Sequence, residues 1–97
     1  MKAYIIAQLV FTDEGHVEEY RAGIKRLLAK HGGRQIVGAA PARKLEGDFD
    51  APDRLVVLEF PSLEIAETYY NDPEHAPLIA LRQSGTISKL MLVEGMI

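Results

Sequence analysis

The sequence predicts an α+β fold in which four antiparallel strands form one sheet and helices cover one of its faces, in the βαββαβ order of the split-βαβ or ferredoxin-like arrangement. Three observations carry that expectation. Ala3 to Phe11 alternates between an apolar and a mixed set of side chains, the period of a strand. Val17, Tyr20, Ile24, Leu27 and Leu28 recur at the spacing of one helical face. Arg54 to Tyr70 runs from a continuous apolar strand through Pro61-Ser62 directly into another helix.

Taken in order, the first strand puts Ala3, Ile5, Ala7, Leu9 and Phe11 on one face and Tyr4, Ile6, Gln8 and Val10 on the other. Thr12-Asp13 offers an N-cap for the first helix, Lys25, Arg26 and Lys30 suit the negative end of its dipole, and Gly32-Gly33 ends it by allowing positive φ. Arg34 to Ala39 and Ala42 to Glu46 read as one bent strand interrupted by Pro41, which confines that part to an edge or a bulge. Gly47 to Asp53 is a turn-rich loop. The run Leu55 to Leu58 is apolar at every position, so Arg54 to Phe60 is a central strand. Pro61 stops it, Ser62 caps the next helix, and Glu64 favours that helix's first turn. Asp72-Pro73 restarts the helix as cap and first residue, with Ala76, Ile79 and Ala80 expected inward and an end near Gly85. Thr86 to Glu94 is the last strand, with Ile87, Met91 and Val93 on one face and Leu90 and Leu92 on the other.

At 97 residues, with no internal repeat and no linker long enough to divide it, the chain is expected to form one domain over residues 1–97. Its 47% hydrophobic and 26% charged content fits a folded globule. A net charge of −3 and isolated basic pairs at Lys25-Arg26 and Arg43-Lys44 argue against nucleic-acid binding. No stretch approaches the roughly 20 apolar residues of a membrane span, nothing at the start reads as a signal peptide, and the absence of cysteine suits a reducing cytoplasm. Histidines at 16, 31 and 75 give no metal-ligand spacing, and no glycine-rich phosphate loop follows a strand, so neither a metal nor a cofactor is expected. Ser62, Ser84 and Ser88 lack a nucleophile elbow.

His31-Gly32-Gly33, Leu45-Glu46-Gly47, Glu59-Phe60-Pro61-Ser62, Tyr69-Tyr70-Asn71-Asp72-Pro73-Glu74 and Leu81-Arg82, in that order and spacing, resemble the bacterial domain-of-unknown-function family 1330 of the dimeric α+β barrel superfamily. The resemblance spans essentially the whole chain. It implies a ferredoxin-like fold whose sheet packs face to face with a second copy, and it implies no established activity. The family usually has a tyrosine two residues after the proline of its NDPE-like stretch, where this chain has His75. Wider relatives, such as cofactor-free monooxygenases of the antibiotic-biosynthesis type and muconolactone-isomerase-like proteins, use the space between sheet and helices for small organic substrates.

Among single residues, His31 extends the apolar face of the first helix by a turn and is expected to aim at the sheet, either as an acid or base or as a cap on the last carbonyls. Arg34 suits bidentate capture of an anion or a pair with Glu46 or Glu59. Glu59 interrupts an apolar strand and must be paired or have its pKa raised, with Arg82 and Arg54 as expected partners. Tyr4, Gln8 and Tyr69 carry polar tips on apolar bodies suited to a pocket or to the core, while Tyr70 and His75 are expected at a pocket rim or on the surface.

Two functional readings follow. One is a small-molecule binder or cofactor-independent enzyme with a pocket between sheet and helices, His31 its candidate catalytic group and Arg34, Glu59, Tyr69 and Arg82 its candidate ligand-binding groups, with His31, Glu59 and Arg82 at the polar centre. The other is a non-catalytic homodimeric module in which these residues fix the fold. Either way the face Tyr4, Ile6, Gln8 and Val10, with Leu55 and Val57, is expected to pair sheet to sheet with a second copy.

Overall fold

A computed structural model describes residues 1–97. The elements are β1 (Ala3–Phe11), α1 (Val17–His31), β2 (Arg34–Val37), β3 (Arg54–Phe60), α2 (Leu63–Tyr70), a 3-10 turn (Pro73–His75), α3 (Ala76–Gly85) and β4 (Thr86–Glu94). The strands form one sheet in the order β2-β3-β1-β4, with every neighbouring pair antiparallel. This is the βαββαβ fold expected from the sequence, with β3 and β1 central. The molecule measures 34 × 33 × 18 Å, and its short dimension is that of one sheet backed by one helical layer.

Register assigns the two faces of the sheet. Ile5 lies between Leu58 and Leu92, Ala7 between Val56 and Leu90, and Leu9 between Arg54 and Ser88, so these residues share the face under the helices. The core joins Ala3, Ile5, Leu58 and Phe60 of the sheet to Ile24, Leu27 and Leu28 of α1 and to Ala66 and Tyr69 of α2. Burying each of the larger apolar side chains contributes about 1.5–3 kcal/mol. The opposite face carries Tyr4, Ile6, Gln8 and Val10 beside Leu55 and Val57 on one flank and Ile87, Lys89, Met91 and Val93 on the other. No helix covers it, and Ile87 and Met91 are 62% and 54% exposed.

Local chemistry sets the element ends. Ser62 Oγ accepts from the Ile65 amide at 3.2 Å and caps α2. Asp72 Oδ1 accepts from the Glu74 amide at 2.9 Å, with Pro73 at the first helical position. Gly32, at φ 70°, closes α1 in the left-handed region, and its neighbour Gly33 donates to Leu28 O at 2.9 Å.

Three expectations need correction. Asp13 does not cap α1: its Oδ1 accepts from Gly15 N at 2.8 Å in a local turn, and α1 begins four residues later behind an uncapped His16. The bent strand is about a third as long as expected, because regular pairing ends at Val37 after a register shift, and Ala42 to Glu46 is irregular. Pro41 has no amide to pair, and Gly38 at φ 141° already takes the chain out of strand geometry. In α3, Ala76 and Ala80 are exposed while Leu78 packs on the core and Arg82 and Gly85 are buried. The 3-10 turn before α3 adds a tighter twist that rotates its inward face relative to a continuous α-helix.

Candidate functional site

A cavity of about 480 Å³ lies between the sheet and the helices. Its floor is made by Ile5, Ala7, Leu9, Val56, Leu58 and Leu90, and α1 walls it with Val17, Tyr20, Ile24 and Leu28. A physical reason for the space is visible in the register: at the middle of the floor, between Val56 and Leu90, β1 supplies only the methyl of Ala7. Of the 24 lining residues 13 are hydrophobic, so the chamber suits an apolar body held by a few polar groups.

Those polar groups are His16, Tyr20, Arg54, Tyr69, His75 and Arg82, with Thr86 beside them. Arg82 is 3% exposed, and its Nε donates to Ser88 Oγ at 3.2 Å while Nη1 donates to the Tyr20 hydroxyl at 3.4 Å. Arg54 Nη1 donates to Gly38 O at 2.9 Å, but its Nε is buried without a partner. His75 Nδ1 lies 2.9 Å from Tyr70 O, and since a carbonyl only accepts, Nδ1 carries the hydrogen and Nε2 is left as a bare acceptor with no partner. Burial pushes the His75 imidazole below its ordinary pKa, so the ring is neutral at pH 7. Burial likewise pushes the Tyr69 hydroxyl above its ordinary range and keeps it protonated. Tyr69 packs between Phe60 and His75, with ring centroids 4.9 and 4.8 Å away and the rings tilted by 41° and 38°.

The residues expected at one polar centre do not converge. Tyr69 and Arg82 line the cavity, and Arg34 reaches its edge. His31 does not line the cavity: its Nε2 meets Asp72 Oδ2 at 2.7 Å, in a cluster where Lys30 Nζ reaches the same oxygen at 2.8 Å. The cap residue of the 3-10 turn attracts the end of α1 and captures the imidazole before it can cross to the sheet. Lys30, then the Glu74 amide and then His31 hold the Asp72 carboxyl well below the usual range. Glu59 lies on the opposite face of the sheet from the cavity, because its register partner is Tyr4. Its cations are Arg34 at 2.8 Å and Lys2 at 3.4 Å, not Arg82 or Arg54, and the Arg34 bond lowers its pKa. No three of the histidine and acidic side chains cluster in a way that could hold a metal ion.

One cavity residue was misplaced by sequence reasoning and two, Arg54 and His16, escaped it as site groups. His75 is not a rim or surface residue but 1% exposed, enclosed by Tyr69 and Tyr70. Arg54 heads the inward face of β3 that continues through Val56, Leu58 and Phe60, so two-residue counting back from Phe60 finds it. His16 sits four residues before Tyr20 and packs against it at 6.3 Å, the spacing of the α1 face extended one turn backward.

Fold and cavity together define a ferredoxin-like α+β protein with a chamber enclosed between its two layers. The chain belongs to the family described as domain of unknown function DUF1330, whose model matches residues 2–96. Among solved structures it is similar to a protein of unknown function from Rhodopseudomonas palustris, at 16% identity and TM-score 0.75, over 99% of this chain and 83% of that one. A dimeric ferredoxin-like protein of unknown function from Jannaschia sp. CCS1 aligns at 15% identity and TM-score 0.73, over 98% and 100%. SnoaB, a cofactor-independent oxygenase from Streptomyces nogalater, aligns at 14% identity and TM-score 0.55, over 99% and 94%. At these identities the similarities establish the fold. No curated protein matches the sequence.

Proposed function

We propose that the protein is a homodimer that binds a small organic molecule between its sheet and helices. The observation that carries the reading is the cavity of about 480 Å³, apolar on its floor and bordered by buried polar groups that lack full sets of partners. Native cores pack densely and satisfy their polar groups, so a chamber of this size whose lining residues carry unpartnered nitrogens is better accounted for by a ligand than by folding alone. The description of SnoaB as a cofactor-independent oxygenase lends the same fold a precedent for small-molecule work. The homodimer rests on the uncovered apolar face of the sheet, and the Jannaschia neighbour is described as dimeric. A cytoplasmic location agrees with a chain that has no cysteine, and no helix is long and apolar enough to cross a membrane.

The test is a thermal-shift screen of aromatic and carboxylate metabolites, repeated on Ala7→Leu, which fills the middle of the floor. At least one compound is expected to raise the unfolding temperature of wild type saturably and to have no effect on Ala7→Leu. Disappearance of that compound on incubation with wild type marks an enzyme; its persistence marks a binder. A floor with no functional space gives the reverse pattern, with no responding compound and an Ala7→Leu protein destabilised by about 1–3 kcal/mol through overpacking.

A further inference from the structure

We propose that the molecule taken by the cavity is a small organic carboxylate, its apolar body on the floor around Ala7 and its anionic end between Arg54 and Arg82. This rests on the small-molecule reading and specifies it. The sequence holds 14 acidic and 11 basic residues, yet the residues lining the cavity include Arg21, Lys25, Arg54 and Arg82, besides Arg34 whose side chain pairs with Glu59, and not one aspartate or glutamate. The chain's ion pairs use Lys2, Lys30, His31 and Arg34 against Glu59, Asp72 and Glu74, leaving Arg54 and Arg82 without a carboxylate.

A guanidinium does not escape burial by losing its proton, so an enclosed arginine needs an anion or a full set of acceptors. Arg82, at 3% exposure, has only the neutral hydroxyls of Ser88 and Tyr20 among its partners. Tyr69 does not supply the charge, because its hydroxyl stays protonated. The register places Arg54 and Ser88 on either side of Leu9, two strand spacings or roughly 10 Å apart along the same row. Arg54 and the Ser88-bound Arg82 therefore approach one end of the floor from opposite flanks. A carboxylate has two oxygens and about four lone-pair directions, which suits two guanidinium donors, and a positive rim from Arg21 and Lys25 favours entry of an anion.

The experiment uses full-length protein in Tris-chloride, with matched probes that differ only in charge: benzoate against benzamide, and hexanoate against hexanamide. Calorimetric titration is expected to give saturable binding of at least one acid, at least tenfold tighter than its amide. In Arg82→Met and Arg54→Met that preference is expected to vanish, while both variants melt no lower than wild type because each removes an uncompensated charge. Arg82→Lys, which retains the charge, is expected to keep part of the preference and guards against a Met variant that misfolds. Amides that bind as tightly as the acids, or a preference that survives in both Met variants, overturn the carboxylate assignment and leave the small-molecule reading standing. Absence of binding by any acid or amide, together with no hit in the metabolite screen, overturns both.

Discussion

Asp72 gathers more interactions than any other acid of the chain. One oxygen caps the 3-10 turn through the Glu74 amide, and the other receives Lys30 Nζ and faces His31 Nε2. Its folded pKa is depressed, so the unfolded chain binds the proton more readily, and stability from this group is present above the unfolded carboxylate pKa of about 3.9 and lost as pH falls below it. Glu59, lowered by Arg34, acts in the same direction. Asp72→Asn keeps a capping oxygen but removes the charge. Urea midpoints measured at pH 7, 5, 3 and 2 are expected to be lower for Asp72→Asn than for wild type at pH 7 and to approach wild type at pH 2, with a shallower fall in between. Parallel curves for the two proteins would rule out this role for the carboxylate.

At the scale of elements, the joint between α3 and β4 holds the β1–α1 connection. Gly85 O accepts from the amides of both Thr12 and Asp13, at 2.9 and 3.2 Å, and His16 packs against the glycine. A Cβ on Gly85 would run into the Asp13 carbonyl, which is backbone and unable to swing away, and into the His16 ring. Gly85→Ala is therefore expected to lose about 1–3 kcal/mol of unfolding free energy, as for other overpacked sites, and to shift the His16 ring resonances in an NMR spectrum. Unchanged stability with an unmoved His16 would show that this joint has slack. Gly33, by contrast, has an ordinary negative-φ backbone and makes room instead for the Phe60 ring and Leu28, a packing role that adjacency to Gly32 in the sequence conceals.

For the whole molecule, the exposed face of the sheet is the dominant fact. Val10, Ile87, Met91 and Val93 lie beside half-buried Tyr4, Ile6 and Val57 with no helix above them, an apolar area that monomers seldom leave in water. A two-fold axis through the face would bury it against its own copy. Sedimentation velocity at micromolar concentration is expected to give a dimer for wild type and a monomer for Ile6→Asp, which puts a charge at the centre of the patch without touching the helix side. A wild-type protein that sediments as a monomer would refute the face-to-face dimer.

The strands, the helices and the two faces of the sheet were legible because they depend on short-range periods. Alternation in Ala3–Phe11 separates inward from outward residues, the continuous apolar run in Arg54–Phe60 marks a central strand, Ser62 and Asp72 announce their helices through local hydrogen bonds, and Gly32 ends α1 by its own backbone freedom. Two-residue counting back from Phe60 also puts Arg54 on the inward face, a placement the sequence reading did not make. What sequence spacing does not contain is how far an element is rotated or which distant side chain arrives first. His31 continues the α1 face yet meets Asp72, 41 residues away, and Glu59, which does take Arg34 as the sequence offered, adds Lys2 in place of Arg82 or Arg54. The 3-10 turn at Pro73–His75 rotates α3 so that Arg82 is buried and His75 is enclosed by tyrosines. Tertiary packing alone thus decided the site, because a cavity is the space between elements, and its charge depends on which arginines reach an acid elsewhere and which do not.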